Sequence, residues 1–153
     1  MYPAPHTRRF AYPEPAAPEP PPPGAQPPSV VIIDDSRTVR AVAEACLSRC
    51  GYAVTGFAGG IEALAAFTRQ QVAVPDLVLL DIGMPQMHGY EVAQILRSRP
   101  EFAHTTIVML TGHDGVLDRL RSRMVGASAF ITKPFKTEYL VRTVRGFLEP
   151  IAH

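Results

Sequence analysis

Several kinds of residue that often announce a chemistry are scarce or missing in this chain. There is no tryptophan, and there are only two cysteines, Cys46 and Cys50, one helical turn apart. A zinc site would need more ligands nearby and a disulfide framework more cysteines, so the pair reads as two small buried apolar side chains on one helix face. An excess of one charge is also lacking. Fifteen Lys and Arg against 14 Asp and Glu leave a net +1, which argues against a strong field drawing the chain to nucleic acid or a membrane surface. No apolar run approaches the roughly 18 residues that span a bilayer, so insertion into a membrane is not expected. Thr7-Arg8-Arg9-Phe10 glances at a twin-arginine export signal, but the apolar stretch such a signal needs does not follow it. There is no internal repeat at solenoid period. Lysine is rare too. Of the 15 basic residues only Lys133 and Lys136 are Lys, so a lysine in a telling place is harder to dismiss as background.

What remains is the composition of a single globular domain: 153 residues, 46% hydrophobic and 19% charged. Proline is plentiful but uneven, with 11 of 16 before residue 29. Residues 1–28 therefore form an extended, poorly ordered Pro-rich tail, either a solvated extension or a tether or recognition segment. The folded domain is expected over 29–149, with 150–153 a short C-terminal end.

The centre of that domain is Leu77-Val78-Leu79-Leu80-Asp81. An uninterrupted apolar run between Pro75 and Pro85 fits a strand buried on both faces, with Asp81 at its carboxyl edge. A β-branched run, Val30 to Ile33, ends in Asp34-Asp35. Ser36 fits an N-cap for a helix from Arg37 to Arg49, whose apolar positions Val39, Val42, Ala43, Cys46 and Leu47 recur at threes and fours, and Gly51 fits its stop. A strand from Tyr52 to Phe57 and a helix from Ile61 to Arg69 precede the central strand. After it come a helix from Gly89 to Arg97, a strand from Thr106 to Thr111 and a loop, Gly112-His113-Asp114-Gly115. A helix from Val116 to Met124, a strand from Ala129 to Thr132 and a helix from Thr137 to Leu148 complete the domain. Five alternations of strand and helix predict an α/β fold: an open parallel sheet with helices on both faces.

Ligands bind such sheets at the carboxyl edge. There the strands deliver Asp34 and Asp35, Asp81, Thr111 and Lys133. Each has an ordinary reading alone: a capping pair, a cap for the next turn, a strand-end hydroxyl, a solvated lysine. Together they point to chemistry. Three adjacent carboxylates repel unless a cation lies between them, and Mg²⁺, a hard ion with oxygen ligands, suits the set, with the Gly83 carbonyl as a further ligand. Lys133 offers a positive charge to a phosphoryl oxygen or a carboxylate, and Thr111 a hydroxyl donor. Asp81 is then free to act as a nucleophile toward phosphorus.

Ile33-Asp34-Asp35-Ser36, Leu80-Asp81-Ile82-Gly83-Met84-Pro85, Met109-Leu110-Thr111-Gly112 and Ile131-Thr132-Lys133-Pro134-Phe135 together resemble the receiver domain of bacterial two-component response regulators. The resemblance covers about residues 29 to 149, with Asp34, Asp81, Thr111 and Lys133 separated by 47, 30 and 22 positions. It implies a flavodoxin-like five-stranded sheet in the order 2-1-3-4-5 and a cis Lys133-Pro134 bond. It implies phosphoryl transfer to Asp81 from a histidine kinase or Hpt domain, with Mg²⁺ held by Asp34, Asp35, Asp81 and the Gly83 carbonyl. It further implies a switch pairing Thr111 with Phe130, where Phe130 lacks the phenolic oxygen of the commoner tyrosine. The readout face would be the fourth helix, fifth strand and fifth helix, with Arg119, Arg123, Tyr139, Arg142 and Arg145. Gly83 and His113 occupy the positions flanking the path of attacking water, which bears on phosphoryl lifetime. The stretch from Gly112 to Arg119, with Met124 to Ser128, is similar to single-domain receivers of twitching-motility chemosensory systems.

The expected function is a cytoplasmic, stand-alone signalling switch, monomeric or weakly dimeric when phosphorylated. It would not be an enzyme beyond slow self-dephosphorylation. With no output domain after residue 149, signalling is expected through a protein effector. Alternatives are a phosphate sink for a shared kinase, a scaffold that is never phosphorylated, and a haloacid-dehalogenase-like phosphatase. The last needs a second Asp where Gly83 stands. A flavodoxin-like cofactor binder would place phosphate against Asp34-Asp35, which repel it.

Overall fold

Runs of apolar and β-branched residues account for the five short strands of the computed structural model, which describes residues 26–112 and 116–149. The strands are β1 (Ser29–Ile33), β2 (Ala53–Phe57), β3 (Leu77–Asp81), β4 (Thr106–Thr111) and β5 (Ala129–Thr132). Helices α1 (Arg37–Arg49), α2 (Gly60–Thr68), α3 (Gly89–Ser98), α4 (Val116–Met124) and α5 (Thr137–Leu148) alternate with them, and a short 3-10 turn spans Pro100–Phe102. All the pairings are parallel, in the order β2-β1-β3-β4-β5. This is the α/β sheet expected from the alternation. The tail as far as residue 25, the His113-Asp114-Gly115 part of the β4–α4 loop and residues 150–153 lie outside the described residues.

Side chains alternate across each strand, so one strand feeds two cores. Val31, Ile33, Val78, Leu80, Ile107 and Met109 face α2 and α3, where Leu64, Phe67, Val92, Leu96 and Phe102 pack. Phe67 meets Phe102 edge-on, with centroids 5.1 Å apart. Val30, Ile32, Leu77, Leu79, Val108 and Leu110 face α1 and α5, against Ala43, Leu47, Leu140 and Val144. Every residue of β3 is buried, as a continuous apolar run in a central parallel strand requires. Each of its four apolar side chains, Leu77 to Leu80, contributes roughly 1.5–3 kcal/mol by burial.

Element ends agree with the sequence to within about a residue, with physical exceptions. Tyr52 lies outside β2, because its N–H donates to Leu47 O at the end of α1 instead of pairing in the sheet. Gly51, at φ +92°, makes that turn in the left-handed region glycine tolerates. Ser36 caps α1 as expected, its Oγ accepting from Val39 N at 3.2 Å. Some apolar positions point outward: Ile61 is 53% and Val42 39% exposed. Cys46 and Cys50 are free thiols, half-buried at the edge of the α1–α5 core, where they were expected to be buried.

Two clamps tie the connections. Arg97 reaches from α3 to Gly126 O with Nη2 (2.8 Å) and Nε (3.2 Å), and to Phe102 O with Nη1 (3.0 Å). At the amino edge Ser29 N donates to Asp76 Oδ2 (2.8 Å), and Tyr52 OH donates to Glu149 Oε1 (3.1 Å). Gln26, Pro28, Asp76, Phe147 and Leu148 line one pocket there.

Candidate functional site

The parallel order brings the ends of β1, β3, β4 and β5 to one edge, and the marked residues with them. Asp34 follows β1 directly, its N–H donating to Phe57 O at 3.1 Å. It is fully buried. Its Oδ1 accepts from Ser36 N (2.8 Å) and its carbonyl from Arg40 Nη1 (2.7 Å). Asp35 stands at the exposed rim. Asp81 closes β3, is 5% exposed, and accepts from Gly83 N at 3.1 Å. Lys133 lies between the two buried acids, with Nζ 2.5 Å from Asp34 Oδ2 and 3.3 Å from Asp81 Oδ1. It is held there through its backbone, since its N–H donates to Thr111 O at 2.6 Å; its bond to Pro134 is cis. Thr111 is itself buried.

One close approach fixes the turn after Asp81. Gly89 N–H donates to Ile82 O (3.1 Å), and a Cβ at Gly89 would strike the Asp81 carbonyl oxygen. Glycine is required where α3 packs this tightly on the acid's own backbone.

The electrostatics are those of too many acids for one base. Oxygens of Asp34, Asp35 and Asp81 all lie within 4.8 Å of one another. Burial and then the charge of Asp34 push the Asp81 carboxyl up to about 6, against the pull of the Gly83 N–H and of Lys133. Burial works against the charge on Lys133, but its contact with Asp34 and the charges of both acids outweigh this and raise its pKa. Asp34 Oδ2 lies against Lys133 Nζ and, among the described residues, has no other hydrogen-bond partner. A buried carboxylate oxygen with spare acceptor capacity, an exposed carboxylate beside it, and an all-oxygen donor set fit a small hard divalent cation.

Phe130 lies beside this edge. Thr111 pairs with Thr132 in the sheet, so Phe130, two residues earlier, falls on the same face as Thr111. Arg119 of α4 lies over the Phe130 ring, its Cζ 5.0 Å from the centroid. Tyr90, at the start of α3, donates to Asp118 Oδ1 (3.1 Å), and Ser122 Oγ donates to Asp118 O (2.7 Å). Arg123 and Tyr139 are exposed, on α4 and α5. Arg142 and Arg145 line a groove shared with Cys46 of α1, and Arg145 Nε pairs with Glu149 at 3.4 Å.

Arg40, Gly89 and the Tyr90–Asp118 bond are contributions that sequence reasoning missed. The signal for Arg40 was faint: side chains on a helix lean toward its N-terminus, so a long residue one turn in can reach back to the strand end.

Residues 30–145 match the family described as the response regulator receiver domain. The chain is 34% identical over 116 residues to Protein PilG of Pseudomonas aeruginosa, covering 76% of this chain and 84% of that one. It is 38% identical over 122 residues to the probable transcriptional regulator ycf27 of Porphyridium aerugineum, covering 80% of this chain but 48% of that longer one. Among solved structures, the Vibrio cholerae chemotaxis protein CheY4 superposes with a TM-score of 0.74 at 33% identity, covering 80% of this chain and 99% of CheY4.

Proposed function

The chain belongs to the response regulator receiver family, and from that premise we propose that Asp81 is its phosphoryl acceptor. The carrying observation is the placement of Lys133 Nζ between buried Asp34 and Asp81, at one edge with Asp35 and Thr111. Asp34, Asp35, Asp81 and the Gly83 carbonyl would hold Mg²⁺, which when bound would supply charge that offsets the acids and the incoming phosphoryl oxygens.

The reaction follows from the side chains. The donor is a phosphohistidine of a histidine kinase or Hpt domain. An Asp81 carboxylate oxygen attacks phosphorus, the N–P bond breaks, and its electron pair stays on the imidazole. Lys133 Nζ, anchored on Asp34, stabilises the charge building on the phosphoryl oxygens. The Thr111 hydroxyl donates to one of them. Gly89, by letting α3 pack on the Asp81 backbone, holds the nucleophile in line. Phosphorylation thus exchanges one carboxylate charge for a larger group that draws Thr111 toward it. Phe130 then moves into the space vacated, carrying Arg119 and α4 with it.

The output is a change in what α4, β5 and α5 present, through Arg119, Arg123, Tyr139, Arg142 and Arg145, to a protein effector. The protein is a cytoplasmic switch of the chemosensory type. It is a substrate of phosphoryl transfer and not a turnover enzyme, and loss of its phosphoryl group by slow hydrolysis is governed in part by the open position at Gly83.

The test is to incubate the protein with Mg²⁺ and acetyl phosphate and follow its intact mass, beside an Asp81→Asn control. One added phosphoryl group on the wild type alone is expected. No addition, or equal addition to the control, would overturn the assignment.

A further inference from the structure

Arg40 is a basic side chain that hydrogen-bonds the backbone of the acid pair. Its Nη1 donates to the Asp34 carbonyl at 2.7 Å, reaching back from the first turns of α1 over six positions. The space at Gly56 in β2 is taken by its neighbour Glu44: a Cβ there would collide with the Glu44 carboxylate and would only touch Arg40 Cδ, at 3.5 Å. Arg40 is also fixed at its own backbone, its N–H donating to Ser36 O at 3.0 Å.

We infer that Arg40 is a positioning residue for metal binding, holding the Asp34–Asp35 peptide so that both carboxylates face the same cation. This rests on the reading of the acid cluster as a Mg²⁺ site. The peptide between the two acids is planar, so a bond to its oxygen also fixes the direction in which the Asp35 Cα departs. Asp34 is held by Phe57 O and Ser36 N as well. Asp35 follows directly on that peptide and is exposed at the rim. A charge-assisted bond from a guanidinium is stronger than a neutral one and resists rotation of that peptide. Groups one shell out from a metal act in this way, orienting ligands they do not replace.

The expected effect of removing Arg40 has a counter-intuitive sign. Arg40 is a cation close to an acidic site. If its charge alone mattered, removing it would relieve repulsion and tighten Mg²⁺ binding. If positioning matters, removing it weakens binding. The experiment titrates Mg²⁺ alone into the full chain by calorimetry, with amide NMR shifts followed in parallel. It compares the wild type with Arg40→Met, which keeps much of the stem, with Arg40→Lys, and with Arg37→Met, which removes an exposed charge from the same helix. Arg40→Met is expected to weaken Mg²⁺ binding by roughly 10-fold, the low end for residues behind metal ligands. Arg40→Lys recovers part of the loss, and Arg37→Met leaves binding equal or slightly tighter. Urea unfolding of the metal-free proteins provides the control for folding. A merely structural Arg40 would lower stability without changing the affinity of the folded protein. Binding by Arg40→Met as tight as or tighter than by the wild type overturns the inference. Failure of the wild type itself to bind Mg²⁺ overturns the reading of the site on which it rests.

Discussion

Asp81 should destabilise the metal-free protein at neutral pH, and replacing it should make the fold stronger. Its carboxyl is pushed from its ordinary 3.8 to about 6, by burial first and by the charge of Asp34 second. At 1.36 kcal/mol per pH unit this corresponds to about 3 kcal/mol. Below pH 4 the group is protonated in both folded and unfolded chains and costs nothing. Between pH 4 and 6 the unfolded chain has released the proton while the fold still holds it, so stability falls as pH rises; above 6 the full cost is present. Asp81→Asn imitates the neutral form. The value of about 6 already carries the attraction of Lys133, so a net increase of up to about 3 kcal/mol is expected at pH 7.5 without metal. The chain has no tryptophan, so urea unfolding is followed by circular dichroism. The advantage should vanish at pH 4, and should shrink at pH 7.5 as Mg²⁺ is added, because the ion binds the folded wild type more tightly than the variant. Equal stability of the two proteins at pH 7.5 would refute the reasoning. So would an advantage as large at pH 4 as at pH 7.5, which would mean a packing effect and not a charge effect.

Other perturbations have equally definite signs. Lys133→Ala leaves Asp34 and Asp81 facing each other without their shared cation; metal-free urea unfolding should show a loss of about 2–4 kcal/mol, at or below the range for a fully buried pair because Lys133 is partly solvated. Labelling by acetyl phosphate should also slow at least 10-fold in that variant. Gly89→Ala forces a methyl against the Asp81 carbonyl oxygen, and since neither backbone can yield, a loss of about 1–3 kcal/mol and slower labelling are expected. Arg119→Ala removes the cation above Phe130; a loss of about 0.5–1 kcal/mol in unfolding is expected, with changed ring shifts of Phe130 by NMR. Acidification should weaken Mg²⁺ binding, since below about pH 6 the ion must displace a proton from Asp81.

The strands were the most legible part of the fold, because a buried parallel strand must be apolar throughout and must stop at turn residues. β3 shows this, from Leu77 to Asp81. Helix facing was less legible. Ile61 and Val42 sit at apolar spacings yet point to solvent, and the cysteines reach only the margin of the core, because the exact phase of a helix on a sheet depends on packing between distant segments. In the site, residue types and strand ends could be read, but geometry could not. Lys133 was expected to serve a phosphoryl oxygen or a carboxylate. The structure puts it closest to Asp34, with Asp81 second. Arg40 and Gly89 escaped notice because their roles concern backbone oxygens, which carry no signature in the sequence.

The pocket where Gln26 and Pro28 meet Phe147 and Leu148 has a consequence for how the molecule can be handled. The thread enters and leaves the fold at neighbouring points, on the side of the sheet away from the carboxylates by a strand's length, about 16 Å for five residues. Residues 26 and 149 can therefore be joined by a short Gly-Ser bridge and the ring reopened at an exposed turn, giving a circular permutant with the same sheet. A dye, a bead or a second domain attached at either natural junction would hang below the sheet, leaving the upper rim clear for whatever approaches Asp81.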